Sequence, residues 1–450
     1  MWGLGEVKQM VQKIGSLFIP MILGSLLFQL SVIKFNLDIA VYGKIFNVVF
    51  AIILGILFIC VKRRISKKIM LFYVIPAGCI LIGYFANLTL EFFIGTASIS
   101  AKFLHTSRML PWLAALSVPF VRFNIEKMWR AYYLFMLVVT VIGLVEYLVF
   151  FGGILPTSLV ASVHGANTAA CKGIVTSFYN FGDSTCSNLH SRFYGIWYEA
   201  GTNGMLLLPA FVYAIFFSKR ISILIFLGAI YFTYSLGASI ALLFFATLVA
   251  FWKLREKEMG LLVVVIIIIF FIGVYFVITD YPYMQKIVYT WSDSGAVWLP
   301  LKKFIKNLYY LMTKYPFGLI LQSETYAGMA NFPDFYQGAL TVVLYAAFVQ
   351  GGLLAFFGYA LFILSITVAI MKYYLCKHNL DKDKITDCAF FSLPLMLLYV
   401  VQRSTIFDSV VFSFLFAVPI IKMIDTKAEF LKLNELFGIK NVLFSKGRKD

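Results

Sequence analysis

Hydrophobic residues in this chain come in long blocks separated by short polar breaks, not on single helix faces and not in alternation. The segment 259–279 (MGLLVVVIIIIFFIGVYFVIT) carries no charge. About 20 consecutive apolar residues suffice for a helix to cross the hydrocarbon of a bilayer. Backbone polar groups in lipid must be paired within a helix or around a closed barrel. Barrel strands are shorter and alternate, so blocks of this length predict helices. The pattern places spans at 14–33, 39–61, 69–87, 103–121, 130–151, 199–217, 221–236, 238–252, 259–279, 346–371, 386–403 and 409–424, twelve in all. Arg108 interrupts 103–121, and 221–236 with 238–252 form a short pair. The expectation is an all-α, polytopic integral membrane protein with one transmembrane domain over 1–450.

Charge orients these spans. Basic residues cluster in alternate connections: Lys8 and Lys13, the run 62–68 (KRRISKK), Arg122 with Lys127 and Arg130, Lys219 with Arg220, and Lys253 with Arg255 and Lys257. The series continues through four lysines over 372–384 and the basic tail from Lys422 onward. Lys and Arg concentrate in cytoplasmic loops. Both termini are therefore expected in the cytoplasm, leaving two large loops outside, 152–198 and 280–345. Lys8 and Lys13 before an apolar stretch imitate a signal peptide, but no small-residue cleavage site follows, and the stretch reads as the first span.

Composition agrees with the pattern. Hydrophobic residues make up 61% of the chain and charged residues 13%, against roughly 45–50% and 25% in soluble proteins. The net charge of +17 would suggest nucleic acid in a soluble protein. Here the basic residues meet anionic lipid, and no basic run is interleaved with aromatics, so membrane lipid is the expected partner and nucleic acid is not. Of the six cysteines, Cys60, Cys79, Cys376 and Cys388 lie in spans or cytoplasmic connections. Cys171 and Cys186 share the first outer loop. In an oxidising compartment they would close a loop of about 15 residues, worth roughly 3 kcal/mol; otherwise they are two unpaired thiols.

Candidate chemistry lies on the outer side. No HExxH, CxxC, GxxxxGK[ST] or GxSxG pattern occurs, so neither a metal centre, ATP hydrolysis nor a serine nucleophile is expected. The informative stretch is 190–209 (HSRFYGIWYEAGTNGMLLLP), which passes from the first outer loop into a span. Arg192 and Glu199 fall where water meets lipid, where ionisable residues are costly. Arg192 has the shape to grip phosphate in two hydrogen bonds, and Glu199 has the chemistry to take a proton from a hydroxyl. The same two residues also read as an ion pair locking the loop to the helix. Arg108 and Arg403 read either as interfacial anchors or as phosphate ligands. Over 296–315 an amphipathic helix puts Lys302, Lys303 and Lys306 on one stripe, as a membrane-surface helix or an anionic headgroup site. His164, His190, Asp334 and Tyr336 are weaker candidates, and Glu146 reads as a partner for a neighbouring helix.

Four segments together resemble the bacterial O-antigen polymerases of the Wzy type and the related ligases. Arg192-x-x-Gly195 followed by Glu199-Ala200-Gly201 is similar to the family's R-x-x-G/S…E-P segment, with Ala200 where proline is usual. The stretch 234–241 (YSLGASIA) resembles T-x-S-R-G-A-x-x, with Leu236 where arginine is common. The turn 315–318 (YPFG) resembles a recurring P-x-x-G, and 344–356 (LYAAFVQGGLLAF) the stretch entering the next span. Ligases carry a histidine late in the large outer loop; 331–344 has none, which favours polymerase. The resemblance implies a membrane glycosyltransferase without cofactors, acting on oligosaccharide repeat units carried by undecaprenyl pyrophosphate. It would sit in the bacterial inner membrane, with a chain-length regulator as a further partner. It implies Arg192 as the main phosphate ligand, Arg108 and Arg403 assisting, and Glu199 as base or orienter. A lipid-linked oligosaccharide flippase and an O-antigen ligase are the alternatives; an O-acyltransferase usually requires an intramembrane histidine, and none of the four histidines is well placed for it.

Overall fold

In the computed structural model the described residues are 65–94, 109–120, 124–151, 160–162, 169–172, 177–179, 192–193, 195, 200–233, 235–256, 315–318, 343–377, 383–400, 410–426 and 429–430, with 305, 309, 312 and 313. Helix α1 (67–94) starts at Ser66, whose Oγ accepts from the Ile69 N–H at 3.3 Å. It contains a π turn at Met70–Val74 and continues as Ile75–Ile94. Then come α2 (Leu110–Ser117) and α3 (Ile125–Phe151). Four short strands follow, β1 (Val160–Ser162), β2 (Ala169–Lys172), β3 (Ser177–Tyr179) and β4 (Arg192–Phe193), in an antiparallel meander. Helices α4 (Ala200–Phe216), α5 (Arg220–Phe232), α6 (Leu236–Glu256), α7 (Val343–Leu375), α8 (Lys384–Val400) and α9 (Val410–Asp425) complete the bundle. A two-residue pair, β5 (Cys376–Lys377) with β6 (Glu429–Phe430), ties the ends of α7 and α9.

Among the described residues three helices, Lys67–Leu90, Ile125–Val149 and Ala346–Leu375, are long and apolar enough to cross a membrane. The way they meet solvent is compatible with a membrane protein. On α3, Leu134, Val138, Val141, Val145 and Leu148 are exposed at spacings of three and four; on α7, Leu354, Phe357, Leu361 and Leu364 repeat the pattern. In water such stripes would be association surfaces. Facing acyl chains, they are ordinary.

The centre of the bundle is α4. Its residues 205–214 are buried on every side, as expected for a helix apolar all round. It packs against α3, α5, α6 and α8. Aromatic hydroxyls and ring N–H groups stitch this core. Trp129 stacks on Tyr213 at 6.5 Å and donates Nε1–H to the Leu415 carbonyl of α9 at 3.2 Å. Tyr132 donates to the Leu206 carbonyl in α4. Tyr133 and Ser222 share a hydrogen bond of 2.6 Å between α3 and α5. Removing one partner of a buried pair strands the other, whereas removing both is close to neutral. Tyr133→Phe is expected to cost about 1–3 kcal/mol, and adding Ser222→Ala to recover most of it, in thermal unfolding of the detergent-solubilised chain.

The second pillar is the crossing of α1 and α7. A Cβ on Gly83 would lie 2.5 Å from the Gly351 carbonyl oxygen and 2.8 Å from the Ala355 nitrogen. Small residues let membrane helices approach closely, so van der Waals packing does the work that hydrophobicity cannot do inside lipid. The Tyr84 and Tyr359 hydroxyls bond at 3.0 Å, and Trp112 of α2 sets its edge on Tyr359 at 4.8 Å.

Helix ends flanked by basic residues gather at one end of the bundle. Lys372 Nζ donates to the Ile424 carbonyl at 3.1 Å, at the C-terminus of α9. Lys384 lies over the Phe217 ring at 5.6 Å, Trp252 stacks on Tyr373 at 5.2 Å, and Tyr373 donates to Asp387 Oδ1 at 2.6 Å. Among the described residues, the start of α8 and the ends of α4, α6, α7 and α9 share that end. We call the opposite end the β4 end.

Expected spans and observed helices differ in detail. The segments 14–33, 39–61 and 259–279 lie outside the described residues. Within 103–121 the described helix is only Leu110–Ser117, ending in turn residues. Expected span 238–252 extends to Leu236–Glu256, because Ser235 caps its start by accepting from the Ala238 N–H at 3.4 Å. The all-α expectation holds for the bundle. The small meander in the first large loop has no counterpart in it, since strands of two to four residues leave no periodicity to read.

Candidate functional site

Two of the four resemblance segments meet at the β4 end. Strand β4 lies at the edge of the meander, with Arg192 in register with Tyr179 and Phe193 with Phe178. Phe193 is buried and meets Tyr147 of α3 at 5.7 Å, edge to face; Tyr147 also contacts Phe232 of α5 at 5.2 Å. This anchor holds the backbone of Arg192 beside the helix ends. Two residues on, Gly195 turns the chain with φ of 58°, a conformation that glycine adopts without penalty. Its Cα faces Asn203, the fourth residue of α4: an added Cβ would lie 2.4 Å from Asn203 Oδ1. The next residue, Gly204, lets α4 touch α6, for a Cβ there would lie 2.8 Å from the Ala238 Cβ.

The α5–α6 turn adds further polar groups at this end. Thr233 Oγ1 donates to the Ile230 carbonyl at 2.6 Å and accepts from the Ser235 N–H at 3.2 Å. Thr233, Ser235 and Asn203 are all buried. The segment of Arg192 and the segment 234–241 are therefore neighbours, although the first belongs to a loop and the second to a helix hairpin.

The other two segments also meet. Helix α7 is broken at Gly352, with φ of 64° and ψ of −156°. The turn 315–318 of the second large loop docks into the break. The Leu353 N–H, which has lost its helical acceptor, donates to the Pro316 carbonyl at 2.9 Å. Asn87 of α1 donates Nδ2–H to the Phe317 carbonyl at 2.8 Å. Irregular backbone at membrane depth is tolerated where other parts of the protein satisfy it, and here the loop does so.

The remaining sequence candidates divide by position. Arg192 in β4 and Cys171 in β2 are described in their backbone alone. Glu199, Arg108, Arg403, Lys302, Lys303, Lys306, His164, His190, Asp334, Tyr336 and Cys186 lie outside the described residues. Along the expected amphipathic helix, Ile305 and Tyr309 are exposed, and Thr313 Oγ1 donates to the Tyr309 carbonyl at 2.9 Å, a helical spacing. Among the described residues no three His, Cys, Asp or Glu side chains converge. Asn87, Asn203, Thr233 and Ser235 carry no ionisable group, so charge at the edge of an apolar block does not mark them in the sequence. An isolated asparagine inside an apolar block was the available signal. Compared with known proteins, the chain matches no family model and no curated protein.

Proposed function

We propose that the chain is a bacterial inner-membrane glycosyltransferase of the O-antigen polymerase kind. It joins oligosaccharide repeat units carried on undecaprenyl pyrophosphate at the outer face, with both termini in the cytoplasm. The observation that carries the reading is the approach of Gly195 to Asn203 together with that of the adjacent Gly204 to Thr233, Ser235 and Ala238. Segments that resemble the family one by one are brought together as a single polar junction beside Arg192. In the reaction, a hydroxyl oxygen of the incoming unit forms a bond to the anomeric carbon of the growing chain. The anomeric carbon–oxygen bond to pyrophosphate breaks, and undecaprenyl pyrophosphate leaves with the electron pair. The hydroxyl proton passes to Glu199. Arg192, assisted by Arg108 and Arg403, neutralises the leaving pyrophosphate. Because the donor is already activated, no nucleotide is needed.

A second reading, a lipid-linked oligosaccharide flippase, draws on one observation: the break in α7 at Gly352. Interrupted helices recur in transporters, at sites between internal repeats, but no repeat is visible in this sequence. Deleting the gene and resolving surface polysaccharide by gel separates the readings. Single-repeat, capped lipid is the expected result; loss of all attached polysaccharide would instead indicate a flippase or ligase. Glu199→Gln is expected to shorten chains to single repeats at unchanged protein level. Full-length chains in that variant would remove Glu199 from the role of base.

A further inference from the structure

Four buried side-chain polar atoms among the described residues lack a hydrogen-bond partner: Tyr73 Oη, Trp112 Nε1, Asn203 Nδ2 and Gln350 Oε1. Asn203 stands apart. It is 2% exposed and sits in the first turns of α4, a helix of 17 residues. Helical side chains lean toward the N-terminus, and the amide does reach back to Gly195, which precedes the helix: a Cβ on Gly195 would lie 2.7 Å from Nδ2. The first N–H groups of a helix have no partner within it, and the helix dipole makes that end positive. A desolvated neutral donor therefore lies beside a helix end whose first N–H groups the helix itself leaves unpaired, with Gly195 packed against its amide. Leaving such a donor unpaired is costly in the empty protein and is repaid when an acceptor arrives.

We propose that the N-terminus of α4 is an oxyanion site for a phosphate-type group, with Asn203 Nδ2 as its side-chain donor. Asn203 is neutral, so it contributes direction rather than charge, and the helix terminus supplies the favourable potential. The anion has two sources, a lipid-linked diphosphate headgroup or free inorganic pyrophosphate. The lipid source rests on the function proposed above; the site itself does not.

The test uses the full-length chain in lipid nanodiscs, titrated with undecaprenyl diphosphate and, separately, with inorganic pyrophosphate, and followed by thermophoresis. Asn203→Leu preserves shape and removes the donor; Asn203→Asp preserves shape and adds like charge. Asn203→Leu is expected to weaken binding about 10- to 100-fold, the range for a hydrogen bond to a charged group, and Asn203→Asp at least as much. The ligand-free Asn203→Leu protein is expected to unfold at the same or a higher temperature, because a stranded donor has been removed. A purely structural asparagine would show the opposite, lower stability with unchanged affinity, and that result overturns the proposal. So does failure of the wild-type chain to bind either probe. Binding of the lipid probe alone assigns the anion to the headgroup, and equal binding of pyrophosphate assigns it to the free ion; both support the site. Weakened binding combined with normal polysaccharide length on gene deletion would sink the polymerase reading and leave the site standing. Unchanged binding in both variants, with single-repeat lipid on gene deletion, would do the reverse.

Discussion

Gly352→Ala is expected to destabilise the protein by about 3–5 kcal/mol, from backbone strain and a stranded donor together. The native φ of 64° with ψ of −156° lies in a region essentially reserved for glycine. A Cβ would also lie 2.2 Å from the Pro316 carbonyl oxygen and 2.5 Å from the Phe317 carbonyl carbon. Those atoms belong to the docked turn, so the alanine must expel it. The Leu353 N–H then loses the Pro316 acceptor at 2.9 Å, and Asn87 loses the Phe317 carbonyl at 2.8 Å. Each buried group left unpaired costs about 1–3 kcal/mol. Thermal unfolding in detergent and steady-state level in membranes read the effect. Gly228→Ala is the control: nothing lies within 4 Å of a Cβ there, and its position inside α5 predicts unchanged or raised stability. Equal behaviour of the two variants would mean that the turn does not depend on the break in α7.

The largest functional effect is expected at Arg192. On the proposed function, Arg192→Ala lowers repeat-unit polymerisation by about 100-fold or more, the scale of losing a desolvated charge-assisted contact to a developing anion. Arg192→Lys restores only part of it, since an ammonium cannot reproduce a two-pronged bond to phosphate. Membrane levels of both variants are expected to stay near wild type, because Phe193 anchors β4 against Tyr147. Chain-length distributions on gels, normalised to protein level, decide the matter. Wild-type chain lengths in Arg192→Ala would leave Arg192 a structural residue.

Phe193 and Arg192 illustrate how unevenly the site could be read in advance. Arg192 and Glu199 announce themselves, because an ionisable residue at the edge of an apolar block is expensive and therefore conspicuous. Phe193 is one of 47 phenylalanines, and nothing in its neighbours reveals that it anchors a strand. Asn203 lay between the two cases. A lone amide in an apolar run is visible, but whether it is satisfied depends on groups far away in sequence. The turn 315–318 and the Gly351–Gly352 pair likewise look like two unrelated loop features until the Pro316–Leu353 hydrogen bond joins them.

By itself, the sequence determined the class of solvent this chain is built for. Uncharged blocks must be helices in lipid, and basic residues in alternate connections predict an orientation for them, because both are local costs, of backbone desolvation and of charge transfer. Described helices fall on the expected segments from 69–87 onward, apart from 259–279, which lies outside them, and the shortened helix within 103–121. What only the tertiary structure decided is which helices touch. That α4 lies at the centre, that α1 crosses α7 through glycines, and that a loop turn completes a broken helix follow from shape complementarity over long sequence separations. Inside a membrane every apolar face is equally at home against lipid, so hydrophobic periodicity cannot choose partners. Small residues and stranded polar groups choose them, and only the folded chain shows which ones meet.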